Sequence, residues 1–209
     1  MKIYDISWPI SPDITAYKDK KIVTFEQSKS FEKDAVRETT ITLGAHTGTH
    51  IDAPSHFIKD GKTIDQLDLA NIIGQCKVFD MSDISDAITQ DHIKNLAIDP
   101  GDIVLFKTKN SATEPTSAFN ANFIYLAFSG AQCLVERKVR TVGIDYLGIE
   151  RGQQGHLTHR ELFKYTITII EGLRLTTVNE GSYYLYCLPL NLIGLEAAPA
   201  RAILIENNQ

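Results

Sequence analysis

The sequence predicts an α/β domain built on a mixed β-sheet. Short β-rich runs recur along the chain, and segments with helical spacing lie between several of them. Such alternation of strands and helices is typical of α/β architecture, in which helices cover a sheet. Pro189 and Pro199 separate the last β-rich runs, which favours a mixed sheet over a purely parallel one.

The predicted elements follow in chain order. The predicted strands are residues 38–43, 77–81, 102–108, 123–128, 141–145, 165–170, 183–188 and 202–205, and the first of them leads into a histidine-rich strand from His46. The predicted helices are residues 91–96, a second around Ala131, Leu134 and Val135, and a third from Thr158, where Thr158 and Glu161 have capping-box spacing. The polar segment 109–122 is predicted to be a long surface loop of the kind that often serves a site.

Composition excludes several classes of protein. The 209 residues are 43% hydrophobic and 22% charged, which is ordinary for a globular protein. The net charge of -5 argues against a nucleic-acid partner, which requires a basic face. No run approaches the roughly 20 apolar residues of a membrane span. Because no linker or repeat interrupts the chain, we expect one domain over residues 1–209.

The cysteines and the first residues favour a cytoplasmic protein. Cys76, Cys133 and Cys187 are an odd, widely spaced set, which predicts buried free thiols rather than a redox pair or a zinc knuckle. The N-terminal residues lack the apolar core and small-residue cleavage site of a signal peptide. The predicted location is therefore the reducing cytoplasm.

The most informative segment is residues 46–57, which read His-Thr-Gly-Thr-His-Ile-Asp-Ala-Pro-Ser-His-Phe. Side chains two apart share a face of a strand, so a strand here would bring His46, His50 and Asp52 together. Gly48, between the imidazoles, would leave open space. Two imidazoles and a carboxylate that converge on a gap are good ligands for a divalent metal such as zinc or manganese.

The surroundings of this motif favour a strand over a helix. His46 and His50 have the spacing of the helical zinc-protease motif, but that motif requires glutamate where this chain has Thr47. Pro54 ends strand pairing. His56 then lies just beyond, where it can act on a bound substrate.

Two further polar residues are candidate ligands. His159 is predicted in the first turn of the third helix, and Glu171 follows the β-branched run 166–170. Helix-start histidines and strand-end glutamates are also common as exposed residues, so the sequence by itself leaves their role open. His156 is expected in a loop.

The chain resembles the cyclase family of metal-dependent hydrolases, which includes bacterial kynurenine formamidase and isatin hydrolase. The motif at residues 46–57 carries the resemblance. Weaker matches occur in the right order at residues 4–7, 101–102, 142–145, 158–159, 170–173, 188–190 and 198–202.

The resemblance implies a swivelling β/β/α-type fold, a homo-oligomer (dimer or tetramer), and one or two Zn²⁺ or Mn²⁺ ions per subunit. In the formamidases, residues matching the first two histidines and the aspartate of the motif hold one metal, and the aspartate bridges to a second. The implied ligands are His46, His50, Asp52, His159 and Glu171. His56 matches the residue that donates and accepts protons.

The resemblance also implies an activity on a small molecule. An arylformamidase hydrolyses N-formylkynurenine to kynurenine and formate in tryptophan catabolism, here by metal-activated water with His56 as acid and base. Tyr17 lies near the position at which formamidases carry an aromatic residue that packs on the substrate.

Two alternatives stay open. Residues 145–150, Asp-Tyr-Leu-Gly-Ile-Glu, are more similar to a broader branch of the family than to the formamidases, where Thr-Pro-Ser is usual. A hydrolase of another cyclic amide or lactone, similar to isatin hydrolase, is therefore the first alternative. The second is a non-catalytic metal-binding protein, which would have no need of His56.

Overall fold

A closed seven-stranded β-barrel forms the centre of the computed structural model, which describes residues 1–206. The strands are β1 (Ile3–Asp5), β2 (Thr24–Lys29), β3 (Glu38–Thr42), β4 (His50–Asp52), β5 (Ile73–Asp80), β6 (Ala87–Ile88), β7 (Ile103–Lys107), β8 (Tyr125–Leu126), β9 (Thr141–Ile144), β10 (Thr168–Glu171), β11 (Gly181–Pro189) and β12 (Ala197–Glu206). The α-helices are α1 (Phe31–Asp34), α2 (Gln90–Ile93), α3 (Phe128–Glu136) and α4 (Leu157–Lys164). Short 3₁₀ turns occupy Tyr17–Asp19, Pro54–His56, Ile64–Gln66, Leu69–Asn71 and Lys109–Ala112.

The barrel closes through β12, which pairs with both β11 and β4. The strand order around the ring is β12, β11, β5, β7, β9, β10 and β4, and β1 pairs with residues 203–205 of β12, beyond the residues that pair with β4. The pairings among β5, β7, β9 and β10 are parallel, and the others are antiparallel. The predicted α/β class with a mixed sheet is confirmed.

Alternating side chains of the barrel strands separate two cores. In β7, Leu105 packs in the cluster that fills the barrel interior, whereas Phe106 packs in the cluster beneath the helices. In β10, Ile170 and Ile169 divide in the same way. Leu162 of α4 covers the outer cluster. Both faces of these parallel strands are therefore buried, which explains their nearly continuous apolar sequences.

Several predicted boundaries are wrong for local reasons. The predicted strand 123–128 is shortened to β8, because α3 already begins at Phe128. The predicted strand from residue 165 begins at Thr168, because Thr166 has a left-handed φ of 59° after α4. The predicted surface loop 109–122 begins with Asn110 and Ser111, which are buried.

A hairpin of β2 and β3 stands apart from the barrel. The two strands pair with each other, and every residue in both is exposed. Phe25 lies opposite Ile41 across the hairpin. Among the described residues, no helix has the length and apolar character needed to cross a membrane.

Candidate metal centre and active site

Strands β4 and β10 bring three predicted side chains to one face of the barrel. His50 lies directly opposite Glu171 in their antiparallel pairing, and Asp52 follows two residues after His50. Paired residues and residues two apart share a face, so the three side chains point the same way. Ile51 points into the barrel interior. At most 3% of each polar residue is exposed, so the three side chains are shielded from bulk solvent.

His46 reaches these side chains through a turn. The prediction of a strand from His46 is wrong, because β4 begins at His50 and His46 lies in a turn. Gly48 has a φ of 62°, a region that favours glycine, and this bend brings Nδ1 of His46 to 2.9 Å from Oδ1 of Asp52. A Cβ at Gly48 would lie 3.3 Å from the Trp8 carbonyl oxygen. The glycine is thus required by the bend and its packing, and the idea that it opens space between imidazoles is wrong.

Helix α4 supplies the third imidazole. The predicted capping box is not formed, because His156 is the N-cap residue and Thr158 lies inside the helix, where its hydroxyl donates to the Leu126 carbonyl at 3.1 Å. The backbone N–H of His159 donates instead to Oε2 of Glu150 at 3.2 Å. His159 is therefore held in the first turn, with its ring directed at the carboxylates of the barrel.

The five predicted ligands form one cluster around Asp52. Its Oδ1 faces His46 and also lies 3.5 Å from Nε2 of His50, while its Oδ2 lies 3.5 Å from Nε2 of His159. Glu171 completes the cluster, with Oε2 3.3 Å from Nε2 of His50 and Oε1 3.3 Å from Nε2 of His159. Asp52 thus stands between two imidazoles on one side and one on the other.

The cluster fits a divalent metal ion. Nε2 of His50 and both carboxylate oxygens of Asp52 are buried without an aligned hydrogen bond, and such atoms are rare in folded proteins. His50, Asp52 and Glu171 offer ligand atoms that all lie within 4.8 Å of one another. Imidazole and carboxylate donors suit zinc and manganese. The described residues can therefore hold a metal.

Charges within the cluster shift the pKa values of its members. Burial disfavours a charged His50, but Glu171 and Asp52 outweigh burial and raise the pKa of this imidazole to about 9. Burial likewise opposes ionisation of Asp52, but His159 and His46 outweigh it and lower the pKa of this carboxyl well below its usual value. The metal-free cluster thus pairs imidazolium with carboxylate, and a binding metal displaces the protons.

His56 lies beside the cluster, and among residues 1–206 no carboxylate forms an ion pair with its ring. It ends the short turn after β4, half-buried, with its ring centroid 4.3 Å from that of His46. Burial lowers the pKa of His56. Its ligand atom also lies within 4.8 Å of those of His46 and Asp52, so the geometry allows His56 either to transfer protons or to bind a metal.

A cleft of about 470 Å³ opens onto the cluster. All six predicted histidine and carboxylate residues of the site line it, as does Tyr17. Tyr17 is 40% exposed, and its ring packs edge-on against Phe119, with centroids 4.9 Å apart. The structure therefore brings together every residue that the sequence predicted for the site.

The sequence missed a set of side chains behind the imidazoles. Glu150 is 5% exposed and contacts both His156 and His159. Oε1 of Glu196 lies 3.6 Å from Nε2 of His46. The combination of a glutamate shortly before two histidines was the available signal for Glu150, whereas nothing near Glu196 in the sequence indicated this contact.

Comparison with known proteins identifies the family. Residues 4–151 match the family described as "Putative cyclase". The chain belongs to the cyclase family. This cyclase-family protein is 32% identical to "Kynurenine formamidase" of Bacillus mycoides (strain KBAB4) over 202 residues, which cover 96% of this chain and 95% of that relative.

Solved structures share the fold. A "Potential Metal-Dependent Hydrolase With Cyclase Activity" superposes with a TM-score of 0.90 at 44% identity, covering 100% of this chain and 99% of the other. An isatin hydrolase bound to the product analogue thioisatinate superposes with a TM-score of 0.85 at 22% identity, covering 99% and 93%. The swivelling β/β/α-type fold and the family resemblance predicted from the sequence are confirmed.

Proposed function

We propose that this cyclase-family protein is a metal-dependent amide hydrolase that acts, as an arylformamidase does, on N-formylkynurenine to give kynurenine and formate. The observation that carries the proposal is the cluster of three imidazoles and two carboxylates at the base of an open cleft, in which every member but His46 is buried. The formamidase relative supports the substrate class.

The proposed metal ligands divide around Asp52. His46, His50 and Asp52 would hold one ion, and His159 and Glu171, with Asp52 shared, would hold a second. A divalent ion such as Zn²⁺ or Mn²⁺ supplies Lewis acidity, which polarises a carbonyl group and lowers the pKa of water. Strands β4 and β10 and the first turn of α4 position four of these residues, and the turn before β4 positions His46.

His56 is proposed to move the proton. Because burial lowers its pKa, the neutral imidazole predominates at neutral pH and its free ring nitrogen can accept a proton from the attacking water. The imidazolium then returns that proton to the leaving amine nitrogen. Because no carboxylate in the described part of the chain forms an ion pair with His56, its ring is available for both transfers.

The cleft is proposed to bind the aromatic part of the substrate. Tyr17 offers a half-exposed ring at the cleft wall, and Phe57 adds a second apolar surface. A volume of about 470 Å³ is within the range of small-molecule sites. Tyr17 is therefore the proposed substrate-binding residue.

A substrate panel tests this proposal. Protein loaded with zinc or manganese is assayed against N-formylkynurenine, isatin and a simple lactone, with chelated protein as the blank. Metal-dependent hydrolysis of N-formylkynurenine above the others supports the formamidase activity. Turnover of isatin or the lactone alone would select the first alternative, a hydrolase of cyclic substrates, and no turnover of any compound by loaded protein would select a non-catalytic metal-binding protein.

We also propose that the protein is a cytoplasmic homo-oligomer. All three cysteines are buried free thiols, as expected in a reducing compartment. The β2–β3 hairpin exposes 43% of Phe25 and 56% of Ile41. An isolated two-stranded hairpin is marginally stable in water, so a second copy of this chain is its proposed partner.

A further inference from the structure

Glu150 lies where the cluster of candidate metal ligands, helix α4 and the cleft meet. Its Oε2 accepts the backbone N–H of His159 at 3.2 Å and also lies 3.2 Å from Nδ1 of the same residue. Its Oε1 pairs with Nδ1 of His156. One nearly buried carboxylate thus contacts the backbone and ring of one histidine and the ring of another.

We propose that Glu150 is a positioning residue, which fixes the ring of His159 so that Nε2 faces the metal-binding carboxylates. Oε2 contacts both ends of the residue, the backbone through an N-terminal hydrogen bond and Nδ1 of the ring through an ion-pair contact without an aligned hydrogen bond. Nε2 is thereby directed at Oδ2 of Asp52 and Oε1 of Glu171. Carboxylates that hold the outer nitrogen of a metal-binding histidine orient the ring and raise its basicity.

In His46 and His50, the other two histidines of the proposed metal centre, the ring nitrogen that faces away from the proposed metal also has a partner. These partners differ in kind from Glu150. His50 donates from Nδ1 to the Gly48 carbonyl, a neutral acceptor fixed by the backbone. His46 has Glu196 at 3.6 Å, but the Glu196 side chain is 42% exposed. Glu150 is the nearly buried charged partner, so its removal should have the larger effect on metal binding.

The second contact of Glu150 links this position to the cleft. His156 is half-exposed at the cleft wall, and its ring lies against Phe57 with centroids 4.5 Å apart. His156 holds Oε1 in place, which leaves Oε2 for His159. His156 therefore supports the carboxylate from the cleft side.

A direct metal-binding role for Glu150 is the competing explanation. Glu150, His156 and His159 offer ligand atoms within 4.8 Å of one another. Nε2 of His159 already faces Asp52 and Glu171, so a metal at Nδ1 would require this imidazole to lose both ring protons. If Nδ1 instead keeps its proton beside Oε2 of Glu150, no such ionisation is needed, which favours positioning.

The zinc affinity of the Glu150→Gln variant tests the inference. The inference rests on the metal centre proposed above and does not depend on which substrate the protein hydrolyses. Glutamine keeps the size of the side chain and loses its charge. Affinity and zinc equivalents per chain are measured by competition with a chromogenic chelator, and unfolding of the chelated protein is followed in urea. Glu161→Gln, the same change within α4, is the matched control, and His156→Phe keeps a ring beside Phe57.

The expected result is a zinc affinity about 10–100-fold weaker in Glu150→Gln, with the number of bound ions unchanged. Glu161→Gln should match the wild type, and His156→Phe should show a smaller loss. Unchanged affinity in Glu150→Gln, with only lower stability of the chelated protein, would reduce Glu150 to a helix cap and overturn the inference. Loss of one zinc equivalent at unaltered affinity for the rest would make Glu150 a ligand and also overturn it. Wild-type protein that binds zinc but hydrolyses no substrate would refute the proposed function and leave this measurement intact.

Discussion

Substitution of Gly172 by alanine should damage both the fold and the proposed metal centre. Gly172 follows Glu171 at the end of β10 and has a φ of 70°. An added Cβ would lie 2.3 Å from the Gly48 carbonyl oxygen and 2.8 Å from its carbonyl carbon. That same oxygen accepts the hydrogen bond from Nδ1 of His50. The clash therefore forces apart the two backbone segments that carry His50 and Glu171.

Two costs add in this variant. A left-handed conformation costs a non-glycine residue about 1–2 kcal/mol. Forcing an extra carbon into well-packed surroundings costs about 1–3 kcal/mol more. We therefore expect Gly172→Ala to lower the free energy of unfolding by about 2–5 kcal/mol. Gly194→Ala separates the two costs, because Gly194 has a φ of 78° and a Cβ there would meet nothing within 4 Å.

Urea unfolding of the chelated variants and zinc competition measure these effects. Gly194→Ala should lose about 1–2 kcal/mol and keep its zinc affinity. Gly172→Ala should lose more and bind zinc more weakly, because His50 and Glu171 separate. Equal destabilisation of the two variants, or unaltered zinc affinity in Gly172→Ala, would refute the reasoning about this close approach.

Four further outcomes are expected. His56→Ala should keep its metal by elemental analysis and lose about 10²–10⁴-fold in turnover, whereas loss of metal would make His56 a ligand. Asp52→Asn should lose metal and turnover together. Stoichiometric metal in this variant would contradict the proposal that Asp52 is a ligand shared by both ions. In chelated protein the pKa of His50 is raised to about 9 from a usual 6.5. The stabilisation that this shift gives the fold is complete below pH 6.5 and is lost as the pH rises through about 9. Urea unfolding should therefore show up to about 3 kcal/mol less stability at high pH, and a flat profile would oppose it. Phe25→Ser should reduce the mass measured by light scattering, and an unchanged oligomer would exclude the hairpin as the interface.

The sequence predicted much of the site because strand geometry is local. The two-residue spacing of His50 and Asp52 placed both on one face, whatever strand paired with them. His46 was placed correctly in the cluster for the wrong reason, because a bend at Gly48 does what a continuous strand was expected to do. His46 therefore reaches the cluster through a turn and not through the predicted strand. The sequence thus predicts the candidate ligands correctly as a group, although it mispredicts the secondary structure around His46.

Other features depend on contacts between distant segments. The closure of the barrel through β12 needs β4 and β11 as simultaneous neighbours, and no local pattern encodes that pairing. The sequence predicts a cap of α4 at Thr158, yet Glu150, nine residues before His159, accepts the helix N–H. A capping box is a statistical pattern, and a buried carboxylate from a preceding loop can replace it.

The most direct test of the central claim is to titrate zinc into chelated protein while measuring N-formylkynurenine hydrolysis and bound metal in the same samples. We predict that turnover rises in proportion to bound zinc and stops rising at one or two ions per chain. Full turnover by the chelated protein would contradict a metal-dependent hydrolase. Protein that binds zinc at the cluster but hydrolyses neither this substrate nor a cyclic amide or lactone would contradict the proposed catalysis.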